Sequence, residues 1–291
     1  MENAPFFDDI AQGPAGGVAH WVTTSDGLKI RVGHWTGPQM KGTILLFPGR
    51  TEYIEKYGPA AADFAARGYG VAAIDWRGQG IADRTTDTPT LGDVEDFKDY
   101  YLVAHSMGGC IGLRALIDGL PVKAVAFSAP MWGLTMSPVV RPLAWAASSA
   151  SRVMGFETAM SPGQTSEPYV MRSAFAQNSL SSDLEMFTFM RSQLSAQPDF
   201  ALGGPSLRWL NESLREMRAL AGKPTPNLPC VTFLGTDETI VAPAAIRTRM
   251  ASWPNGTLHT IAGGRHEVMM ETPAIRNQVF DQITKLFDHH R

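Results

Sequence analysis

Five short apolar runs, separated by stretches with helical spacing, constrain this chain more than any other feature. They are TILLF (43–47), YGVAAIDW (69–76), YYLVA (100–104), VKAVAFS (122–128) and LPCVTFLG (228–235). None shows the polar and apolar alternation of a strand with one wet face, so each reads as a strand covered on both sides. Helical stretches lie between them, such as PAAADFAARG with Ala61, Phe64 and Ala65 at helical spacing, and MGGCIGLRALIDG after the third run. Strands alternating with helices predict a parallel sheet wound on both faces, an α/β fold. Before them, HWVTTSDGLKIRVGHW sets two β-rich runs around Asp26-Gly27, a hairpin signal, so an antiparallel pair is expected to open the sheet. The chain is expected to end in a helix whose apolar face carries Ile275, Val279, Ile283 and Leu286, with Thr272-Pro273 at its start.

From Met131 the rhythm changes, because helical periodicity with Pro and Gly breaks runs to about residue 225 without a β-like segment. The expected organisation is a core of residues 18–130 and 226–291 with a helical insertion at 131–225. The bulk numbers narrow the function class. Hydrophobic residues make up 44% and charged residues 18%, ordinary globular values. The net charge of −3 offers no basic footprint for nucleic acid and no polybasic membrane anchor. No run approaches the roughly 18 apolar residues of a membrane span. The first residues, MENAPFFDDIAQGPAGG, lack the basic start and apolar stretch of a signal peptide. Cys110 and Cys230 have no metal-type spacing and read as buried free thiols. A soluble protein of the cytoplasm is therefore expected, without metal, cofactor, stable membrane insertion or protein partner, acting on a neutral or apolar small molecule. The acidic stretch DVEDFKD reads as a solvated helix face.

The third run leads into chemistry. In YLVAHSMGG, Ser106 stands between a buried strand and a helix, with Ala104 two positions before it and Gly108 two after. A serine hydroxyl is a weak nucleophile until a base takes its proton, and a sharp strand-to-helix turn lifts it clear of the backbone. Ala104 stands where that turn usually has glycine. The N–H of Met107 would then face an oxyanion, and a second donor, the N–H of Arg50, would come from FPGRTEY, where Gly49 allows close approach. His266, in the glycine-rich IAGGRHEVMMETP, is the candidate base. The other histidines have structural readings: His20 and His34 in the hairpin, His105 in the elbow, His259 in a strand, His289 and His290 in the tail. An acid must orient His266, and FLGTDETIVAP offers two, Asp237 and Glu238.

Serine, then acid, then histidine is the chain order of the α/β-hydrolase fold. From about His20 onward the chain resembles the lysophospholipase and monoacylglycerol-lipase group of that superfamily. The likeness rests on Pro48, Gly49 and Glu52; on Asp75, Gly78 and Gly80 in DWRGQG; on AHSMGG; and on His266-Glu267. By the group's spacing the acid falls on Glu238, between Gly235 and Val241. The resemblance implies a serine hydrolase cleaving an ester with an apolar acyl group. The insertion would then form a lid whose Met131, Trp132, Met136, Trp145, Met154, Met186, Phe187 and Met190 supply an acyl wall. Met131 and Trp132, next to the elbow, are the substrate-binding candidates alongside Gly49. A non-catalytic binding protein, or a peptidase or thioesterase on the same scaffold, is the alternative. One feature departs from the group: DVEDFKDY runs straight into YLVAHS. Eight helical residues rise only about 12 Å, so a segment is expected to be missing at Tyr100-Tyr101, and a continuous peptide there would refute this.

Overall fold

A computed structural model describes residues 2–24, 26–37, 39–83 and 100–291. Nine strands are formed by these residues: β1 (Glu2–Ala4), β2 (Val18–Thr23), β3 (Lys29–Trp35), β4 (Thr43–Phe47), β5 (Gly70–Asp75), β6 (Tyr100–His105), β7 (Val125–Ser128), β8 (Cys230–Gly235) and β9 (Gly256–Ile261). They make one sheet in the order β1-β2-β3-β5-β4-β6-β7-β8-β9. Pairing is antiparallel from β1 through β3 to β5 and parallel from β5 to β9. The hairpin expected at Asp26-Gly27 is the β2–β3 pair, closing at Thr23 opposite Lys29, with Gly27 at φ 87° in the connection. β1 is an addition that the sequence reading did not include.

The helices are α1 (Asp8–Ala11), α2 (Gly58–Ala66), α3 (Met107–Ile117), α4 (Val140–Val153), α5 (Tyr169–Arg172), α6 (Leu184–Ala196), α7 (Leu207–Ala221), α8 (Pro243–Ala251) and α9 (Pro273–His289). The two faces of the sheet carry separate cores because strand side chains alternate. In β6, Tyr101 and Val103 pack with α2 and α9 through Phe64, Val279, Phe280 and Phe287. Leu102 and Ala104 pack on the other face with Leu113 of α3, Leu214 of α7 and Ile246 of α8. Each such side chain contributes about 1.5–3 kcal/mol on full burial, and a central strand loaded on both faces is fixed in register.

Between β7 and β8 lie α4 to α7. The Asp183 carboxylate caps α6, accepting from the Met186 N–H at 3.0 Å, and the Ser206 hydroxyl oxygen caps α7, accepting from the Trp209 N–H at 3.1 Å. α6 has its own apolar cluster around Phe187, Phe189 and Met190. α7 falls inside the 131–225 insertion, yet its Leu210, Leu214 and Met217 belong to the core beneath α3. Tyr100 and Tyr101 are successive residues of β6, opposite Thr43 and Ile44 of β4, and the stretch of the expected crossover, residues 84–99, lies outside the described residues. The DVEDFKD stretch itself lies outside the described residues. Among the described residues no helix is long and apolar enough to cross a membrane.

Candidate active site

Ser106 sits in the turn between β6 and α3 at φ 50° and ψ −117°. A non-glycine residue holds that backbone only when its surroundings impose it. They do here: the Ser106 N–H donates to Ser128 O at 3.0 Å, and the Met131 N–H donates to Ser106 O at 2.8 Å. A Cβ on Gly108 would lie 2.1 Å from Phe47 O and 2.5 Å from Pro48 O, so glycine is required there. Ala104 is fully buried among core side chains, and the methyl group replacing the usual glycine is accommodated.

His266 reaches the serine from the loop after β9. Ser106 Oγ donates to His266 Nε2 at 2.9 Å, and His266 Nδ1–H donates to Glu238 Oε2 at 2.6 Å. The Ile240 and Val241 amides donate to Glu238 Oε1 at 2.5 and 3.1 Å. Burial pushes the Glu238 carboxyl up, but the His266 contact and those amides outweigh it and hold Glu238 below the ordinary carboxylate value. Asp237 is exposed and accepts from the hydroxyl of Thr236 at 3.0 Å, so it faces away from His266. Gly235 permits the acid and histidine loops to meet, since a Cβ there would lie 2.0 Å from Gly264 O.

The loop after β4 is pinned on every side. Trp76 Nε1–H donates to Pro48 O at 2.8 Å, Gln79 Nε2–H to Gly49 O at 3.2 Å and the Thr51 N–H to Gln79 Oε1 at 2.6 Å. The Gly49 N–H donates to Glu52, and Thr51 takes φ 66°. Among the described residues no internal acceptor takes up the Arg50 or Met107 amide. Met107 is the first residue of α3, where a helix leaves its N–H groups unsatisfied. Trp76 and Gln79, missed in the sequence reading, give the DWRGQG motif its purpose, and Gly80 is glycine because a Cβ would lie 2.0 Å from Asp75 Oδ2.

A family model described as serine aminopeptidase, S33, matches residues 38–273. This chain belongs to that family. It is 27% identical over 302 aligned residues to lysophospholipase L2 of Escherichia coli K12, covering 92% of this chain and 86% of that one. To the probable lysophospholipase L2 of Haemophilus influenzae it is 23% identical, covering 97% and 93%. Among solved structures, a soluble variant of monoglyceride lipase from Saccharomyces cerevisiae, in complex with a substrate analog, superposes with TM-score 0.71 at 19% identity over 93% of this chain and 94% of that one. A carboxyl esterase from Bacillus coagulans, in complex with glycerol, gives 0.70 at 15% identity over 95% and 99%. The fold of this S33-family chain is that of the α/β-hydrolases.

Ser106 and His266 open into a cavity of about 680 Å³ walled by the sheet top and the helical insertion. Met131, Met136 and Met190 line it. Trp132 does not, correcting the sequence reading: its N–H donates to Pro130 O at 2.8 Å, a tight turn that swings the indole into the core. There Trp132 Nε1–H donates to Gly109 O at 3.1 Å and the ring packs on Phe127 and Trp253. Gly49 is likewise absent from the wall and serves the loop. Of the other lid candidates, Met186 and Phe187 are core to α6, Trp145 packs toward α7, and Met154 is exposed.

Below the site lies a buried charge cluster. Lys56 Nζ–H donates to Glu52 Oε1 and to Glu267 Oε1, each at 2.6 Å. Tyr57 O–H donates to Glu52 Oε2 at 2.5 Å, and His105 Nε2 is 3.4 Å from Glu267 Oε2. Burial disfavours the charge on Glu267, but His105 and Lys56 outweigh it and hold that carboxyl well below its ordinary value. Glu52, His105 and Glu267 bring metal-ligand atoms within 4.8 Å of one another. The Lys56 ammonium already sits in contact with both carboxylates, so this donor set does not fit a metal ion.

Proposed function

We propose that this protein is a serine hydrolase that cleaves carboxylic esters with an apolar acyl group, with Ser106 as nucleophile, His266 as base and Glu238 as its orienting acid. Ser106 Oγ attacks the ester carbonyl while His266 Nε2 takes its proton. The amides of Arg50 and Met107 donate to the oxyanion, and the alcohol leaves with the proton from His266. Water, activated by the same imidazole, then releases the acid and restores Ser106. Residues 131–225 act as a lid over the serine, with Met131, Met136 and Met190 against the acyl chain.

The observation that carries this reading is the Glu238–His266–Ser106 relay, with contacts of 2.6 and 2.9 Å, opening into a cavity lined largely by apolar side chains. The lysophospholipase relatives and the esterase and lipase fold neighbours agree with it. The family description raises amide cleavage as a second reading. An aminopeptidase needs an anion for the substrate's amino terminus, and both cavity carboxylates, Glu52 and Glu267, are already engaged by Lys56. Unpaired buried Cys110 and Cys230 favour the cytoplasm as its compartment. Turnover of a p-nitrophenyl ester series by wild type and Ser106→Ala, with a fluorophosphonate label and an aminoacyl p-nitroanilide in parallel, tests the scheme. The expected result is ester cleavage and labelling in wild type only. A binding protein would neither turn over nor label, and a peptidase would prefer the anilide.

A further inference from the structure

The two amides nearest the imidazole of His266 find their acceptors in the helical insertion rather than in the sheet. The His266 N–H donates to Ser179 O at 3.2 Å and the Glu267 N–H to Leu180 O at 2.8 Å. Side chains extend the seam: the Ser181 hydroxyl donates to Met270 O at 2.7 Å, and Arg265 Nη1–H donates to Ser181 O at 3.0 Å. Residues 179–182 therefore run along the histidine loop.

Glu271 closes this seam from below. It is fully buried, and among the described residues no cation pairs with it. Burying a carboxylate is costly unless its oxygens are satisfied. Here Oε1 accepts from the Arg265 N–H at 2.9 Å, while Oε2 accepts from the Ser182 N–H at 3.0 Å and the Ser182 hydroxyl at 2.5 Å. One oxygen thus holds the residue just before the base, and the other holds the insertion. On the insertion's side the turn is made by Asn178, which is 5% exposed. Its Oδ1 accepts from the Leu180 and Ser181 amides at 2.8 and 2.9 Å, and its Nδ2 donates to Phe175 O and Ser181 O at 2.6 and 3.0 Å. All four hydrogen-bonding positions of that amide are used, so the turn arrives at the histidine loop already shaped.

We propose that Glu271 and the turn at 178–182 are positioning elements for His266, fixing the backbone of the base so that Nε2 stays in reach of Ser106 and Nδ1 in reach of Glu238. This rests on the serine-hydrolase reading above and gives part of the insertion a role other than covering the serine. The stretch that holds the base is a fixed wall, and opening over the serine is left to the rest of the insertion. A glutamine at 271 keeps one acceptor oxygen and turns the other into a donor, so it can hold Arg265 or Ser182 but not both.

The test compares wild type, Glu271→Gln, Ser182→Ala and Asn211→Ala. Asn211 bonds the hydroxyls of Ser148 and Ser149 at 3.1 Å each, inside the insertion and away from the histidine loop, so its variant reports general loosening. Displacing a reacting group by about 1 Å costs on the order of 100-fold. In Glu271→Gln, kcat per folded molecule on a p-nitrophenyl ester should fall about 10- to 100-fold with KM within about twofold, and fluorophosphonate labelling should slow in parallel. Ser182→Ala should show a smaller loss of the same sign, and it carries the test if Glu271→Gln does not fold. Asn211→Ala should melt earlier with kcat within about twofold of wild type. Amide hydrogen exchange supplies a readout independent of chemistry. The His266 and Glu267 amides should be protected in wild type and exchange about tenfold faster or more in Glu271→Gln, with the β9 amides unchanged. Lower melting with unchanged kcat in Glu271→Gln and Ser182→Ala would overturn the proposal and leave Glu271 a purely structural residue. An equal fall of kcat in Asn211→Ala, or free exchange of those two amides in wild type, would overturn it as well. If wild type cleaves no ester, the hydrolase reading fails, while hydrogen exchange still decides whether the insertion holds the histidine loop.

Discussion

Replacing Lys56 by Met removes the cation that two buried carboxylates share. Lys56 is 5% exposed, with its ammonium 2.6 Å from both Glu52 and Glu267, so water does not take its place. Breaking a buried ion pair by deleting one partner costs about 3–5 kcal/mol, against a total stability of about 5–15 kcal/mol. Two carboxylates are stranded here, with His105 Nε2 as the nearest remaining basic nitrogen, 3.4 Å from Glu267 and 3.6 Å from Glu52; the upper end of that range is expected at pH 7. The pH dependence has a definite sign. In the wild type the Glu267 carboxyl is depressed, so its stabilising contribution is present above the unfolded value near 4.3 and is lost as pH falls through the folded value. In Lys56→Met the Lys56 attraction is gone while burial still disfavours the Glu267 charge, so the penalty shrinks as pH falls and that carboxyl protonates. Urea unfolding followed by circular dichroism at pH 5, 6, 7 and 8 measures this. Adding Glu267→Gln to Lys56→Met should recover about 1 kcal/mol or more, because it removes one stranded charge. A single variant within about 1 kcal/mol of wild type at pH 7, with no dependence on pH, would show that this cluster is not the electrostatic unit argued here.

Two further substitutions bear on the site. Glu238→Gln keeps the shape but not the charge that stabilises protonated His266, so kcat is expected to fall by about 1,000- to 10,000-fold, whereas Asp237→Asn should stay within about twofold; steady-state ester kinetics decide between the two acids. Gly108→Ala puts a methyl 2.1 Å from Phe47 O and must shift the oxyanion loop or the elbow. A loss of about 100-fold or more in turnover is expected, with thermal melting separating misplacement from unfolding.

What the sequence revealed follows from how local each signal is. The parallel strands were legible because burial on both faces leaves an apolar run, and Ser106 because its turn requires small neighbours within two positions. His266 was legible from chain order. The residues by themselves left Asp237 and Glu238 open, because both lie just past the same strand, and the spacing of the resembling group favoured Glu238. The choice is made by the turn after Glu238, whose Ile240 and Val241 amides grip that carboxylate. Trp132 was misplaced because adjacency to the elbow fixes a backbone position and not a side-chain direction. The contacts Arg50–Gly203 and Lys56–Glu267 join residues 153 and 211 positions apart, and no periodicity reports such a pairing.

The buried cluster also has a consequence for rigidity at the site. The oxyanion loop and the histidine loop are separate connections, following β4 and β9, and each could drift without the other. Glu52 holds the Gly49 amide in the first loop, Glu267 follows His266 directly in the second, and Lys56 joins their carboxylates. A shift of either loop would stretch a buried ion pair, so the Arg50 amide, the proposed oxyanion donor of the first loop, and His266 in the second are fixed relative to one another. Electrostatic preorganisation of this kind depends on groups that do not move when charge develops. The charges beneath the serine are thus part of how the relay keeps its 2.9 Å contact, although none of them joins it.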